Sequence, residues 1–366
     1  MNLTTPRELF LQQLQFATSV CPSRSPRPIL SDVLITVEGN KIEILATDGD
    51  VSVRLSCEAE GISGEGRAAL PAATLLSAVR SMTSDELKIS KVNQVYEVVG
   101  DQAFFKLNGD DPDLFPSIPT VEATSGVDVS LSDFVGLCNR TTFAAAKEMG
   151  RYAFNGVLLE IDPEEITLVA TDGRRLSLAK LPHATGVQER RSAVVPIKGL
   201  AQLQRLMTDE DQTLRIELRD SMVALLLPHA EVQAQLVQGD FPDFRAVVPG
   251  EGDVPGEARI GRDELATAIQ RALVTAGDDG PKVELSFSGG NLTVLSSKEG
   301  IGESRSDMGI DYSGETVVIR FNPNFIGEYL KTMPEDHVTF RFKDRASAGL
   351  FKVSDESVYV LMPITS

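Results

Sequence analysis

Two aspartates share one short context: Asp48 in "ILATDGDVSVRLS" and Asp172 in "LVATDGRRLSLAK". A carboxylate presented on a loop can hold a divalent cation or take up a proton. A repeated Ala-Thr-Asp-Gly could therefore mark metal-dependent phosphotransfer on a phosphorylated substrate. That chemistry needs company, and neither aspartate has a second carboxylate or a histidine at a recognisable ligand spacing. His183, His229 and His337 are isolated from one another and from the cysteines. The run "DDPD" from Asp110 to Asp113 could bind a cation but reads more simply as a solvated acidic loop. No GxxxxGK[ST], HExxH or GxSxG is present, nor a GxGxxG opening a helix. The competing reading is structural, because Asp-Gly suits a tight turn at the end of a strand.

The elements around the two copies favour the turn. Alternating apolar stretches precede each one, "VLITVEGNKIEILATDGD" from Val33 and "VLLEIDPEEITLVATDGR" from Val157, which predict strand, turn and strand. A worn third copy, "VELSFSGGNLTVLSSKEG", begins at Val283; the three starts lie 124 and 126 residues apart. Downstream, "LPAATLLSAVRSM", "VPIKGLAQLQRLM" and "FNPNFIGEYLKTM" repeat as short amphipathic helices with proline at the second or third position, suited to a first helical turn. Upstream, "TPRELFLQQLQFATSV", "LSDFVGLCNRTTFAAAK" and "GRDELATAIQRALVTAG" repeat as a second helix. Three elements recurring in one order predict three homologous α+β domains, each with two helices and about eight strands. The expected domains are residues 1–122, 127–249 and 256–366, with boundaries near "VEATSGVD" and "PGEGDVPGE". Because the third copy has "SKEG" in place of Thr-Asp-Gly, no obligatory catalytic aspartate is kept across the repeats.

Composition narrows the classes further. With 366 residues, 42% hydrophobic and 24% charged, the chain is an ordinary globular one of two or three domains. No apolar run approaches a membrane span, and the start "MNLTTPRELFLQQLQ" lacks an export signal. Cys21, Cys57 and Cys138 have no CxxC spacing, which predicts buried thiols in a reducing cytoplasm and no metal or other cofactor. The net charge of −18 argues against simple tight binding of nucleic acid, but it does not describe how charge is distributed. Aligning the repeats puts Arg80, Arg205 and Lys331 at one helix position, and Arg140 and Arg271 at another where Gln15 is the third member. These are either solvated helix faces or one cationic surface built from like helices and turned toward a polyanion. A protein that encircles DNA needs only weak, sequence-blind phosphate contacts, and an acidic exterior would keep DNA off the outside.

At this point the chain resembles a known family over essentially its whole length: the bacterial sliding clamp, the beta subunit of DNA polymerase III. The resemblance rests on "GRYAFNGVLLE", "VATDGRRL", "FPDFRAVVP" and the terminal "YVLMPITS", together with the triple repeat. It implies a non-catalytic processivity factor made of three DNA-clamp domains, with helices packed on antiparallel sheets, in a head-to-tail ring dimer. The implied partners are double-stranded DNA without sequence preference, a second copy of the chain, the polymerase III catalytic subunit, a clamp-loader ATPase, and other replication and repair proteins carrying a clamp-binding motif. A membrane is not among them.

The resemblance also implies sites. DNA contacts would come from Arg24, Lys147, Arg151, Tyr152 and Lys198, to which repeat symmetry adds Arg80, Arg205 and Lys331. A pocket for short partner peptides would be lined by Phe154, Thr171, Gly173, Arg175, Leu176, Pro242, Val247, Val360, Met362 and Pro363. The dimer joint would use Phe105 and Leu107 on the stretch "DQAFFKLNG", facing Leu273 and Val274 of the partner; packing within the chain is the competing role for these residues. The sequence departs from the family pattern at Arg174, Ala246, Ala153 and the Thr365–Ser366 end. A different class of reading, an enzyme using Asp48 and Asp172 or a monomeric three-domain scaffold, stays open on the residues alone.

Overall fold

The computed structural model of the chain describes residues 1–366 except 94, 147–153, 208–210, 251, 253 and 366. Among the described residues there are six α-helices: α1 Arg7–Thr18, α2 Ala72–Ser81, α3 Leu131–Thr141, α4 Ile197–Leu206, α5 Arg262–Ala276 and α6 Pro323–Thr332. The prolines of the downstream repeat play two parts. Pro71 and Pro196 end the strands that precede α2 and α4, whereas Pro323 is the first residue of α6, where its missing N–H costs nothing.

The strands of the described residues form sheets of twelve, eight and four members, all antiparallel where paired. Each repeat supplies two four-stranded modules. The first holds the strands around its ATDG or SKEG turn: Asp32–Glu38, Lys41–Thr47, Val51–Glu58 and Ser63–Pro71 in repeat one. The second ends on Ala103–Asn108 in repeat one, Ala230–Gln235 in repeat two and Ser357–Leu361 in repeat three. Modules join by one rule. The strand after the turn in one repeat pairs with the last strand of the next: Val51–Glu58 with Ala230–Gln235, in register Val53↔Val232, and Arg175–Pro182 with Ser357–Leu361, in register Leu176↔Val360.

Compactness follows those joints and not the repeat boundaries. Met1–Ser132 with Lys198–Leu236 form one unit around the twelve-stranded sheet; Asp133–Ile197 with Val237–Ser366 form the other. The middle repeat is thus divided, one module in each unit. Strand patterns explain where the cores sit. Val51–Glu58 alternates buried and half-buried residues, as a sheet with one covered face requires, while Gly156–Ile161 is buried at every position.

Candidate functional site

The two ATDG segments fold alike. Thr47 Oγ1 accepts from the Gly49 amide at 3.1 Å, and Asp48 Oδ1 accepts from the amides of Asp50 and Val51 at 2.9 and 2.8 Å. In the second copy Thr171 Oγ1 accepts from Gly173 at 3.1 Å, and Asp172 Oδ1 accepts from Arg174 and Arg175, both at 3.0 Å. Gly49 and Gly173 have φ of 104° and 83°, a region that disfavours any side chain. These aspartates therefore cap a turn through one oxygen. The other oxygen makes an ion pair, Asp48 Oδ2 with Lys198 and Asp172 Oδ2 with Arg175 at 2.9 Å. Burial alone would raise the Asp48 pKa; the Lys198 ammonium and the two amides outweigh it and hold the carboxyl below its usual range. Among the described residues, no group of three or more His, Cys, Asp or Glu is placed to hold a metal. The thiols are free, and burial pushes Cys138 up to about 12, the state of an inert packing residue.

Of the residues assigned to DNA, Lys147, Arg151 and Tyr152 lie outside the described residues. Arg24 is exposed on the loop after α1, and Arg80, Arg205 and Lys331 are exposed in the last turns of α2, α4 and α6. Arg140 differs from them, because it pairs with Glu335 at 2.7 Å. Lys198 is also engaged, by Asp48 and by the Val20 carbonyl at 3.0 Å.

The residues assigned to a peptide pocket fall on two faces of one sheet. Thr171, Leu176 and Val360 sit at facing register positions, and Leu176 and Val360 join a buried apolar cluster with Leu178 and Phe244. Met362 continues that strand through its amide to the Arg174 carbonyl at 2.9 Å and stays 45% exposed; Val247 is 46% exposed. Pro242 and Pro363 are half-buried, and the Phe154 ring lies against Gly173. A cleft of about 340 Å³ opens at the Phe244 end of the same cluster, lined in part by Thr167, Leu178 and Val248, none of which the sequence reading singled out.

Arg175 is placed otherwise. One step from Leu176 in a period-two strand, it points to the helix side and is only 5% exposed. There it meets Glu328 at 2.5 Å and the Phe143 carbonyl at 2.8 Å, and its guanidinium lies 4.3 Å from the Phe325 ring centroid. It is a structural clamp between sheet and helices. Arg175→Met is expected to lower unfolding stability by about 3 kcal/mol, since Asp172 and Glu328 lose a buried partner. Arg175→Lys should rescue only part of this, because an ammonium cannot reproduce the planar fork. A urea titration read by circular dichroism checks both.

The joint residues also separate by face. On the edge strand Ala103–Asn108, Phe105 is half-buried and Leu107 buried, opposite the buried Val98 and Tyr96 of their own sheet. The outward positions are Phe104, 61% exposed, and its cross-strand neighbour Val99. At the other end of the chain, α5 packs its last turn on the edge strand Gly302–Gly309, with Thr275 Oγ1 donating to Ser304 at 3.1 Å. Beside that contact Leu273 is half-buried and Val274 is 77% exposed. Phe104 was legible in principle, as the apolar residue out of phase with the inward set.

Comparison with known proteins shows the family and the fold. Family models described as the N-terminal, central and C-terminal domains of the DNA polymerase III beta subunit match residues 1–119, 128–243 and 245–365. A beta sliding clamp of Pseudomonas aeruginosa is 29% identical over 369 residues, covering 100% of both chains; one of Chlamydia pneumoniae is 28% identical, covering 94% of each. The crystal structure of the DNA polymerase III subunit beta from Pseudomonas aeruginosa superposes with a TM-score of 0.91 at 29% identity, over 100% of both chains.

Proposed function

The chain belongs to the DNA polymerase III beta subunit family and is a non-catalytic DNA sliding clamp for that polymerase; we propose that it works as a closed ring of two copies. The observation that carries the ring is the joining rule. Two strands occupy joining positions without a partner on that side among the described residues: Gly302–Gly309, which follows the SKEG turn, and Ala103–Asn108, which ends repeat one. The same rule applied between chains pairs one copy's Gly302–Gly309 with the other's Ala103–Asn108. Two such joints close a head-to-tail dimer and pair both of these open edge strands. Phe105 and Phe104 on one side, and Leu273 and Val274 on the other, supply its apolar contacts.

In this reading the three domains, 1–122, 127–249 and 256–366, line a bore with their helices, so Arg24, Arg80, Lys198, Arg205 and Lys331 face double-stranded DNA without sequence preference. The family resemblance assigns Lys147, Arg151 and Tyr152, which lie outside the described residues, to DNA contact as well. The −18 net charge then keeps the exterior repulsive to DNA while topology retains the duplex. Opening a closed ring around a circle calls for an external loader ATPase. The cleft around Leu176, Val247, Val360 and Met362 takes an apolar anchor from the tails of the polymerase catalytic subunit and other motif-bearing replication and repair proteins. Among the described residues no helix is long and apolar enough to cross a membrane, and a cytoplasmic site of action accords with the free thiols.

Topological retention separates this reading from a simple binder. After loading on nicked circular DNA, the protein is expected to stay bound through gel filtration and to be lost once the circle is cut to a linear form. Equal retention on both templates would contradict encirclement.

A further inference from the structure

Of the described cations assigned to DNA, Lys198 alone is paired with a carboxylate of the chain. It is the second residue of α4, and its ammonium is held between Asp48 Oδ2 and the Val20 carbonyl, at 3.0 Å from the latter. The surroundings fix this geometry from three elements. Asp48 cannot turn away, because its Oδ1 is bound by the amides of Asp50 and Val51. Val20 follows α1, and next to it Ser19 Oγ donates to Gln202 Oε1 at 2.9 Å, while Gln202 Nε2 returns to the Lys198 carbonyl at 3.3 Å. The start of α4, the end of α1 and the first ATDG turn are thus tied together with Lys198 at their centre. Yet the Lys198 side chain remains 42% exposed, so a passing anion can reach it, whereas Asp48 is 16% exposed.

We infer that Asp48 restrains Lys198, holding its charge in an internal ion pair so that a DNA phosphate must compete with a fixed carboxylate for it. The physical consequence is a weak grip. A lysine bound to phosphate adds about 0.9 to the magnitude of the salt slope of DNA affinity, and an internally paired one adds little. A clamp that must slide gains from the second condition, because each phosphate released while moving is replaced by Asp48 and the ammonium never stands unpaired. Asp48 is a positioning residue here, since it acts through Lys198 and does not touch DNA.

The inference rests on the assignment of Lys198 to DNA, and the test keeps the two apart. Asp48→Asn retains Oδ1 as the acceptor that caps the turn but removes the charge. Binding of the purified ring variants to a fluorescent linear duplex would be followed by anisotropy across a potassium chloride series. Asp48→Asn is expected to bind about fivefold more tightly at low salt, with a slope steeper by about 0.9. Lys198→Gln should change little by itself, and adding it to Asp48→Asn should return both quantities to the parent values. Weaker binding by Asp48→Asn would mean that the aspartate presents Lys198 to DNA, and would overturn the restraint. An equal gain with and without Lys198 would reduce the effect to one less negative charge and overturn it too. Arg24→Gln is the control: if it loses slope while Asp48→Asn gains none, the DNA surface stands and the restraint falls; if no variant differs from the parent, both fall.

Discussion

Val274→Asp is expected to convert the protein from a dimer into a monomer of 39.6 kDa with its fold intact. Val274 is 77% exposed in the single chain, so the substitution removes almost no packing there. In the closed ring it would lie buried at the joint, and the variant would lose about 2 kcal/mol of apolar burial at each of two joints. Burying a carboxylate adds to that loss. A total of about 4 kcal/mol or more raises the dimer dissociation constant by at least ~10³-fold. Phe104→Asp should behave in the same way from the other side of the joint, because its ring is 61% exposed in the chain and its strand is an open edge. Sedimentation velocity at micromolar protein reads the outcome, and both variants should lose retention on nicked circles. A parent protein that sediments as a monomer, or variants that remain dimeric, would remove the basis for the ring.

Met362→Ala with Val247→Ala is expected to weaken docking of the polymerase catalytic subunit's tail by about 10²-fold while leaving dimerisation and stability near the parent's. Two exposed apolar side chains that fill with a ligand are each worth about 1–2 kcal/mol at a hot spot. In the unliganded chain they are 45% and 46% exposed and contribute little to folding. Leu176→Ala is a poorer probe of the same cleft. Leu176 is buried with Val169, Leu178 and Phe244, so its truncation should cost about 3 kcal/mol of stability before any ligand is considered. Fluorescence anisotropy with that tail peptide checks the double variant. Unchanged affinity with the fold preserved would move the docking site elsewhere.

The architecture was legible in the sequence because repetition is a property of the chain itself. Strand–turn–strand blocks at Val33, Val157 and Val283, the paired amphipathic helices and the Asp-Gly turns are local patterns, and local patterns survive without coordinates. The positions of Arg80, Arg205 and Lys331 followed from aligning those blocks, and each is exposed at the end of its helix. The family resemblance pointed to Phe105 and Leu107, which alternation along a strand puts on one face. Alternation could not say which face was covered, and one step along the strand exchanges the half-buried Phe105 for the exposed Phe104.

What only the tertiary structure decided has a common cause: it depends on residues distant in sequence meeting across elements. Nothing near "VATDGRRL" announces that Arg175 turns away from the apolar cleft to meet Glu328, 153 positions later. Nor does "ILATDG" or "VPIKGL" reveal that the first ATDG turn holds Lys198, 150 residues on. The division of the middle repeat between two compact units is of the same kind, because hydrogen bonds between neighbouring modules outweigh chain continuity within a repeat. Periodicity specifies which faces a segment has; the partner of each face is set by packing, where the free energy of burial and of ion pairing is realised.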